Sequence, residues 1–80
     1  MTLSKIFNKK PDEKTVIVAD DVATIRTIVS TVFKKAGYKT FEARNGDEVL
    51  SLAREHKPQI IVIDLQMGSR GGISAIDELL

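Results

Sequence analysis

Two short β-branched runs, each closed by acid, constrain this chain more than any other feature. Thr15-Val16-Ile17-Val18-Ala19 ends at Asp20-Asp21, and Gln59-Ile60-Ile61-Val62-Ile63 ends at Asp64. Runs of this kind leave no polar face to turn to water. They fit strands buried on both sides, as in a parallel sheet with helices on either face.

The intervening chain supplies the helices. Val22, Ile25, Ile28/Val29, Val32/Phe33 and Ala36 recur at helical spacing, Lys34 and Lys35 fall in the last turn, and Gly37 ends the helix. Its Thr and Val content gives low intrinsic propensity, so tertiary packing must hold it. Tyr38–Ala43 alternates with a period of two and reads as a second strand, at an edge. Asn45-Gly46 marks a turn, Asp47 and Glu48 favour the positive end of a second helix through Val49, Leu50, Leu52 and Ala53, and Pro58 stops it. Gly68-Ser69-Arg70-Gly71-Gly72 reads as a loop, and Ile73, Ile76, Leu79 and Leu80 begin a third helical stripe. The order strand-helix-strand-helix-strand-helix, with right-handed crossovers, predicts a three-layer α/β fold around a parallel sheet. Working groups in such sheets gather at the C-terminal ends of the strands.

Residues 15–80 are read as this domain, and residues 1–14 as a basic leader with four lysines against two acids. Leu3, Ile6 and Phe7 lie at helical spacing before Pro11, so the leader is read as a short amphipathic helix, a helix packed on the domain, or a frayed tail.

Composition removes several function classes. With 12 Lys+Arg against 11 Asp+Glu, the chain lacks the basic excess of a sequence-independent nucleic-acid binder. Without cysteine, and with His56 as its one histidine, it offers neither a disulfide framework nor a thiolate or His-rich metal site. No apolar stretch approaches the ~20 residues of a membrane span. No secretory signal is visible, and a cytoplasmic protein is expected. A Gly-rich phosphate loop followed by Lys-Ser/Thr is missing, so nucleotide hydrolysis is unsupported.

The acids carry the chemistry. If the first and third strands are neighbours, their backbones lie about 4.8 Å apart and Asp20, Asp21 and Asp64 converge. Like charges so close repel unless one is protonated or a cation lies between them, and Mg²⁺ with its preference for oxygen suits the gap. The Asp64 carboxylate has the character of a nucleophile that could accept a phosphoryl group. A blander reading stays open at this point, in which the aspartate pair caps the following helix and Asp64 is a solvated turn residue.

Three segments together resemble the receiver domain of two-component response regulators, in order from about Thr15 to Leu80: Val16-Ile17-Val18-Ala19-Asp20-Asp21, Ala43-Arg44-Asn45-Gly46-Asp47-Glu48-Val49-Leu50, and Pro58-Gln59-Ile60-Ile61-Val62-Ile63-Asp64-Leu65-Gln66-Met67. The resemblance implies a flavodoxin-like receiver fold with Asp64 as phospho-acceptor. It implies Mg²⁺ held by Asp20, Asp21, Asp64 and the backbone carbonyl of Gln66. The implied partner is a sensor histidine kinase or phosphotransfer protein, and the implied activity is at most self-phosphorylation from a phosphodonor. The chain departs from the family at Gly68, where Pro is usual, and at Gly71-Gly72, where Asp-Gly is usual. Receivers also run on into two more strands carrying a switching Ser/Thr and a Lys, so the chain reads as a receiver truncated after the third helix. In that form the third strand is an exposed apolar edge, and a homo-oligomer, most simply a two-fold dimer through that strand, is expected. The alternative functions are a phosphorylation-deficient dimerisation or adaptor module, or a fragment of a longer regulator.

Overall fold

The computed structural model describes residues 2–6 and 14–64. Six elements follow one another: β1 (Thr2–Ile6), β2 (Thr15–Ala19), α1 (Ala23–Lys35), β3 (Lys39–Ala43), α2 (Gly46–His56) and β4 (Ile60–Asp64). They build one four-stranded sheet in the order β1-β4-β2-β3. β2 lies at its centre, parallel to both β3 and β4. The three strands read from the acid-terminated runs and the alternating segment are therefore present, with β3 at an edge as expected. The loop 68–72, the third helical stripe from Ile73 and Gln66 lie outside the described residues.

The chain leaves β2 to one side through α1 and returns across it through α2. Right-handed crossovers in opposite directions put the two helices on opposite faces of the sheet. Ile17, Ala19, Ala43, Ile61 and Ile63 pack with Val49 and Ala53 of α2 into one buried cluster, flanked by Phe41 and Leu52. Val16 and Val18, the alternate residues of β2, are equally buried toward the α1 side. The β2 run is thus continuous because both of its faces are covered.

Helix ends follow local chemistry. The Asn45 side chain accepts from the backbone N–H of Glu48 at 2.9 Å, capping α2, and Glu48 Oε1 accepts from the N–H of Arg44 at 2.7 Å. At the other end Lys57 takes a left-handed conformation (φ 46°), ending α2 one residue before Pro58. His56, in the last turn, stacks on Phe41 with ring centroids 3.8 Å apart. After α1, Gly37 takes φ 91° and Tyr38 N–H donates to the Phe33 carbonyl at 3.0 Å. The Gly37 stop expected for the first helix is in place.

Two expectations are corrected. The leader does not fold as a helix over Leu3 and Ile6: residues 2–6 form β1, antiparallel to β4, with Thr2 opposite Asp64 and Ile6 opposite Ile60. The open edge of β4 is a row of unpaired N–H and C=O groups, and an adjacent extended segment satisfies them. That pairing also fills the edge through which a dimer was expected, so β4 offers no free edge to a second copy.

The second correction concerns α1. Of the apolar positions read at helical spacing, Val22, Ile25, Ile28, Val32 and Ala36 are exposed, Val29 and Phe33 are half-buried, and the buried residue of α1 is Ser30. Periodicity reports that a stripe exists, and the sheet takes only its Val29 and Phe33 side.

Candidate metal and phosphoryl site

β2 and β4 lie side by side with Ala19 opposite Ile63, so the next residue on each, Asp20 and Asp64, sits at the same C-terminal edge of the sheet. Asp21 follows directly. One carboxylate oxygen from each of Asp20, Asp21 and Asp64 can be chosen so that all three lie within 4.8 Å of one another. The three residues singled out from the sequence are brought together as expected. Gln66, the fourth, is outside the described residues.

Asp20 is the anchor of this cluster, being only 7% exposed. Its N–H donates to the Ala43 carbonyl at 3.1 Å, continuing the ladder with β3. Its Oδ1 accepts from Val22 N–H at 2.9 Å, which closes a short turn into α1. Its backbone carbonyl accepts from Arg26 Nη1 at 2.8 Å. Three of its polar groups are thus fixed by protein donors and acceptors. The capping reading is met only in part: the Asp20 side chain orders the turn, but the N-cap position of α1 is Val22, which makes no side-chain cap. Asp21 is exposed and Asp64 half-buried.

Arg26 was not legible as a site residue. It lies one turn into α1 among apolar neighbours, and its Nε also donates to Glu42 Oε1 of β3 at 3.2 Å, with 14% of its side chain exposed. One guanidinium therefore ties the loop carrying the first two acids to the edge strand. A lone arginine in an apolar helical pattern was the available signal.

The donor set fits a small hard cation. Carboxylate oxygens on opposite sides of Mg²⁺ stand about 4.2 Å apart, and adjacent ones closer, so a triad within 4.8 Å needs only a small side-chain adjustment to close. Three acids and no soft ligand also match that preference. Asp20, Asp21 and Asp64 would hold the ion. It would supply positive charge to oxygens of a transferring group.

The chain matches the model of the response regulator receiver domain over residues 16–80. It belongs to the receiver-domain family of two-component signalling. Among curated proteins, this receiver is 38% identical over 68 residues to the chemotaxis protein CheY of Thermotoga maritima, covering 84% of this chain and 57% of that protein. It is 30% identical over 64 residues to sporulation initiation phosphotransferase F of Bacillus subtilis (80% and 52% covered), and 35% over 60 residues to the polar-differentiation response regulator DivK of Brucella anthropi (75% and 49%). The receiver spans about half the length of these relatives. The α/β fold and the family resemblance read from the sequence are both borne out. No helix among the described residues is long and apolar enough to cross a membrane.

Proposed function

We propose that this receiver accepts a phosphoryl group on Asp64, with Mg²⁺ held by Asp20, Asp21, Asp64 and the Gln66 carbonyl. The observation that carries the reading is the convergence of three carboxylates, from two adjacent parallel strands, at one end of the sheet. A carboxylate oxygen of Asp64 attacks phosphorus, the bond from phosphorus to the donor's imidazole nitrogen breaks, and the nitrogen keeps the electron pair and takes a proton. Asp20, Asp21 and Asp64 would hold Mg²⁺, which would supply positive charge beside the phosphoryl oxygens. Val22 N–H holds the Asp20 carboxylate, and Ala43 and Arg26 hold its backbone, so this acid is positioned at the rim in advance. The donor is a phosphohistidine on a sensor kinase or phosphotransfer protein, and the family membership supports that assignment.

Acetyl phosphate with Mg²⁺, followed by intact-mass measurement, tests this reading. The wild-type chain gains one phosphoryl group and Asp64→Asn gains none. A wild type that gains none under conditions where it stays folded supports instead the phosphorylation-deficient module.

A further inference from the structure

Strand β3 closes one side of the sheet and has β2 as its strand neighbour, so its outer edge is open. Lys39 N–H donates to the Lys14 carbonyl at 2.8 Å, and the Ala43 carbonyl accepts from Asp20 N–H at 3.1 Å. Backbone groups alternate sides along a strand. Lys39, Phe41 and Ala43 therefore turn theirs to β2, and Thr40 and Glu42 turn theirs to the open edge. The flanking residues are already engaged. Tyr38 N–H donates to the Phe33 carbonyl at 3.0 Å, and the Tyr38 carbonyl accepts from Thr40 Oγ1 at 3.1 Å. Arg44 N–H donates to Glu48 Oε1 at 2.7 Å. The edge open to a further strand thus narrows to Thr40 and Glu42.

Side chains alternate likewise. Phe41 packs beside the α2 cluster and stacks on His56, and Lys39 Nζ lies 5.6 Å over the Phe41 ring, so Lys39, Phe41 and Ala43 share the α2 face. Glu42 of β3 and Asp47, Glu48, Ser51 and Leu52 of α2 line a cavity of about 440 Å³. Its lining holds three acids and no base; Glu42 and Glu48 meet Arg26 and Arg44 of their own chain. The exposed Lys39 begins β3, and the exposed Asp47 lies just past its end, in the first turn of α2. The edge carries a base at one end, acids at the other, and an aromatic ring midway.

We propose that β3 is a self-association edge. Two copies pair β3 with β3 antiparallel about a two-fold axis at Phe41, joining their sheets into one. In this register Thr40 of each copy exchanges both backbone hydrogen bonds with Glu42 of the other, and Phe41 faces Phe41 across a close pair with Cα atoms about 4.5 Å apart. Lys39 stands opposite Ala43, beside the acidic cavity of the other copy. A shift of register one way sets Glu42 against Glu42 and calls on the Arg44 N–H that Glu48 holds; a shift the other way calls on Tyr38, whose N–H and carbonyl are taken. An arbitrary extended peptide would satisfy the backbone alone, whereas a second β3 also brings a lysine to the acids at both ends. That match names the second copy as occupant. The interface is isologous and closes at two copies, and β4 stays paired with β1.

Sedimentation velocity and amide hydrogen exchange of the full chain, over a range of concentrations, test this. The wild type should form a concentration-dependent dimer in which the Thr40 and Glu42 amides become protected, while the Phe41 amide, turned to β2, is protected throughout. Thr40→Pro removes an outward N–H, a change an edge strand tolerates, and should stay monomeric with the circular dichroism of the wild type. Thr40→Val keeps the backbone and should dimerise as the wild type does. Lys39→Glu and Asp47→Lys each set like charges at both ends and should weaken association by about tenfold. Mixed in equal amounts, they restore opposite charges, and the heterodimer should form with near wild-type affinity. Four results would overturn the proposal: a wild type monomeric at the highest soluble concentration, a dimer in which the Thr40 and Glu42 amides exchange as fast as in the monomer, a folded Thr40→Pro chain that dimerises as well as the wild type, or charge variants whose mixture stays monomeric. None of these readouts uses phosphorylation, so they stand apart from the acceptor role of Asp64.

Discussion

Arg26 donates through Nη1 to the backbone carbonyl of Asp20 at 2.8 Å, joining the first turns of α1 to the loop that carries two of the three acids. The same guanidinium reaches Glu42 on β3. Arg26→Met keeps much of the apolar stem and removes both contacts. Hydrogen bonds to charged groups contribute about 1.5–3 kcal/mol, and Glu42 is partly solvated, so a loss of about 2 kcal/mol is expected in urea unfolding. Mg²⁺ titration of the same variant should show weaker binding, because the Asp20 loop loses a tether. Unchanged Mg²⁺ affinity would show that Arg26 supports the fold alone.

The carboxylate cluster predicts opposite effects with and without metal. Three acids close together repel when no cation is present, so Asp21→Asn should raise the thermal midpoint in a chelator. In excess Mg²⁺ the wild type should gain stability as RT ln(1 + [L]/Kd), and the variant should gain less. Thermal scans at several Mg²⁺ concentrations check both signs. A variant that gains as much as the wild type would remove Asp21 from the ligand set.

The cap of α2 is separable from the site. Asn45→Ala leaves the Glu48 N–H without its side-chain acceptor, and a cost of about 1 kcal/mol is expected. Asn45→Asp retains an acceptor and should lose much less. Equilibrium unfolding of the pair distinguishes loss of the cap from a general effect at position 45.

Glu48 gives a pH dependence of known sign. The Arg44 backbone N–H, and then its guanidinium, stabilise the charged carboxylate and lower its pKa below the ordinary glutamate value. The folded state therefore binds this proton more weakly than the unfolded chain. The resulting stability is present above the ordinary glutamate pKa and is lost as pH falls through the depressed one. With 36% of the side chain exposed, solvent screening limits the effect to a few tenths of a kcal/mol. Comparing urea midpoints of wild type and Glu48→Gln through the acidic range should show the difference shrinking as pH falls.

Ser30 predicts a gain. Its Oγ is buried without a hydrogen-bond partner, and it lies inside α1. Ser30→Ala removes the desolvated hydroxyl and improves helix propensity, so stability should rise by about 1 kcal/mol. A loss of stability in urea would mean that the hydroxyl has a partner in solution.

What was legible in the sequence depended on what covers each element. β2 was readable because burial from both sides writes a continuous β-branched run, β4 because it carries the same kind of run with Ile61 and Ile63 buried and Ile60 and Val62 half-buried, and Asp20, Asp21 and Asp64 because those runs end there. The start of α2 was readable because Asn45, Asp47 and Glu48 act locally. The outward turn of α1 was not, since Ile25, Ile28 and Val32 repeat alike whether they face the sheet or solvent. β1 was hidden for a different reason. Five residues in which Leu3 and Ile6 stand three apart suit a helix turn, and the partner that makes them a strand lies some sixty positions further on. Arg26 was missed because its contacts to Asp20 and Glu42 are tertiary.

The antiparallel course of β1 has a practical corollary. Thr2 stands opposite Asp64, while Ile6 lies at the far end of the strand. A peptide fused ahead of Thr2 therefore enters at the acidic rim, where a histidine-rich affinity tag with bound nickel would add metal and imidazole close to the very carboxylates under assay. Loading and titration experiments on this chain call for an untagged amino end, with any probe attached instead at an exposed position such as Glu55 in the last turn of α2.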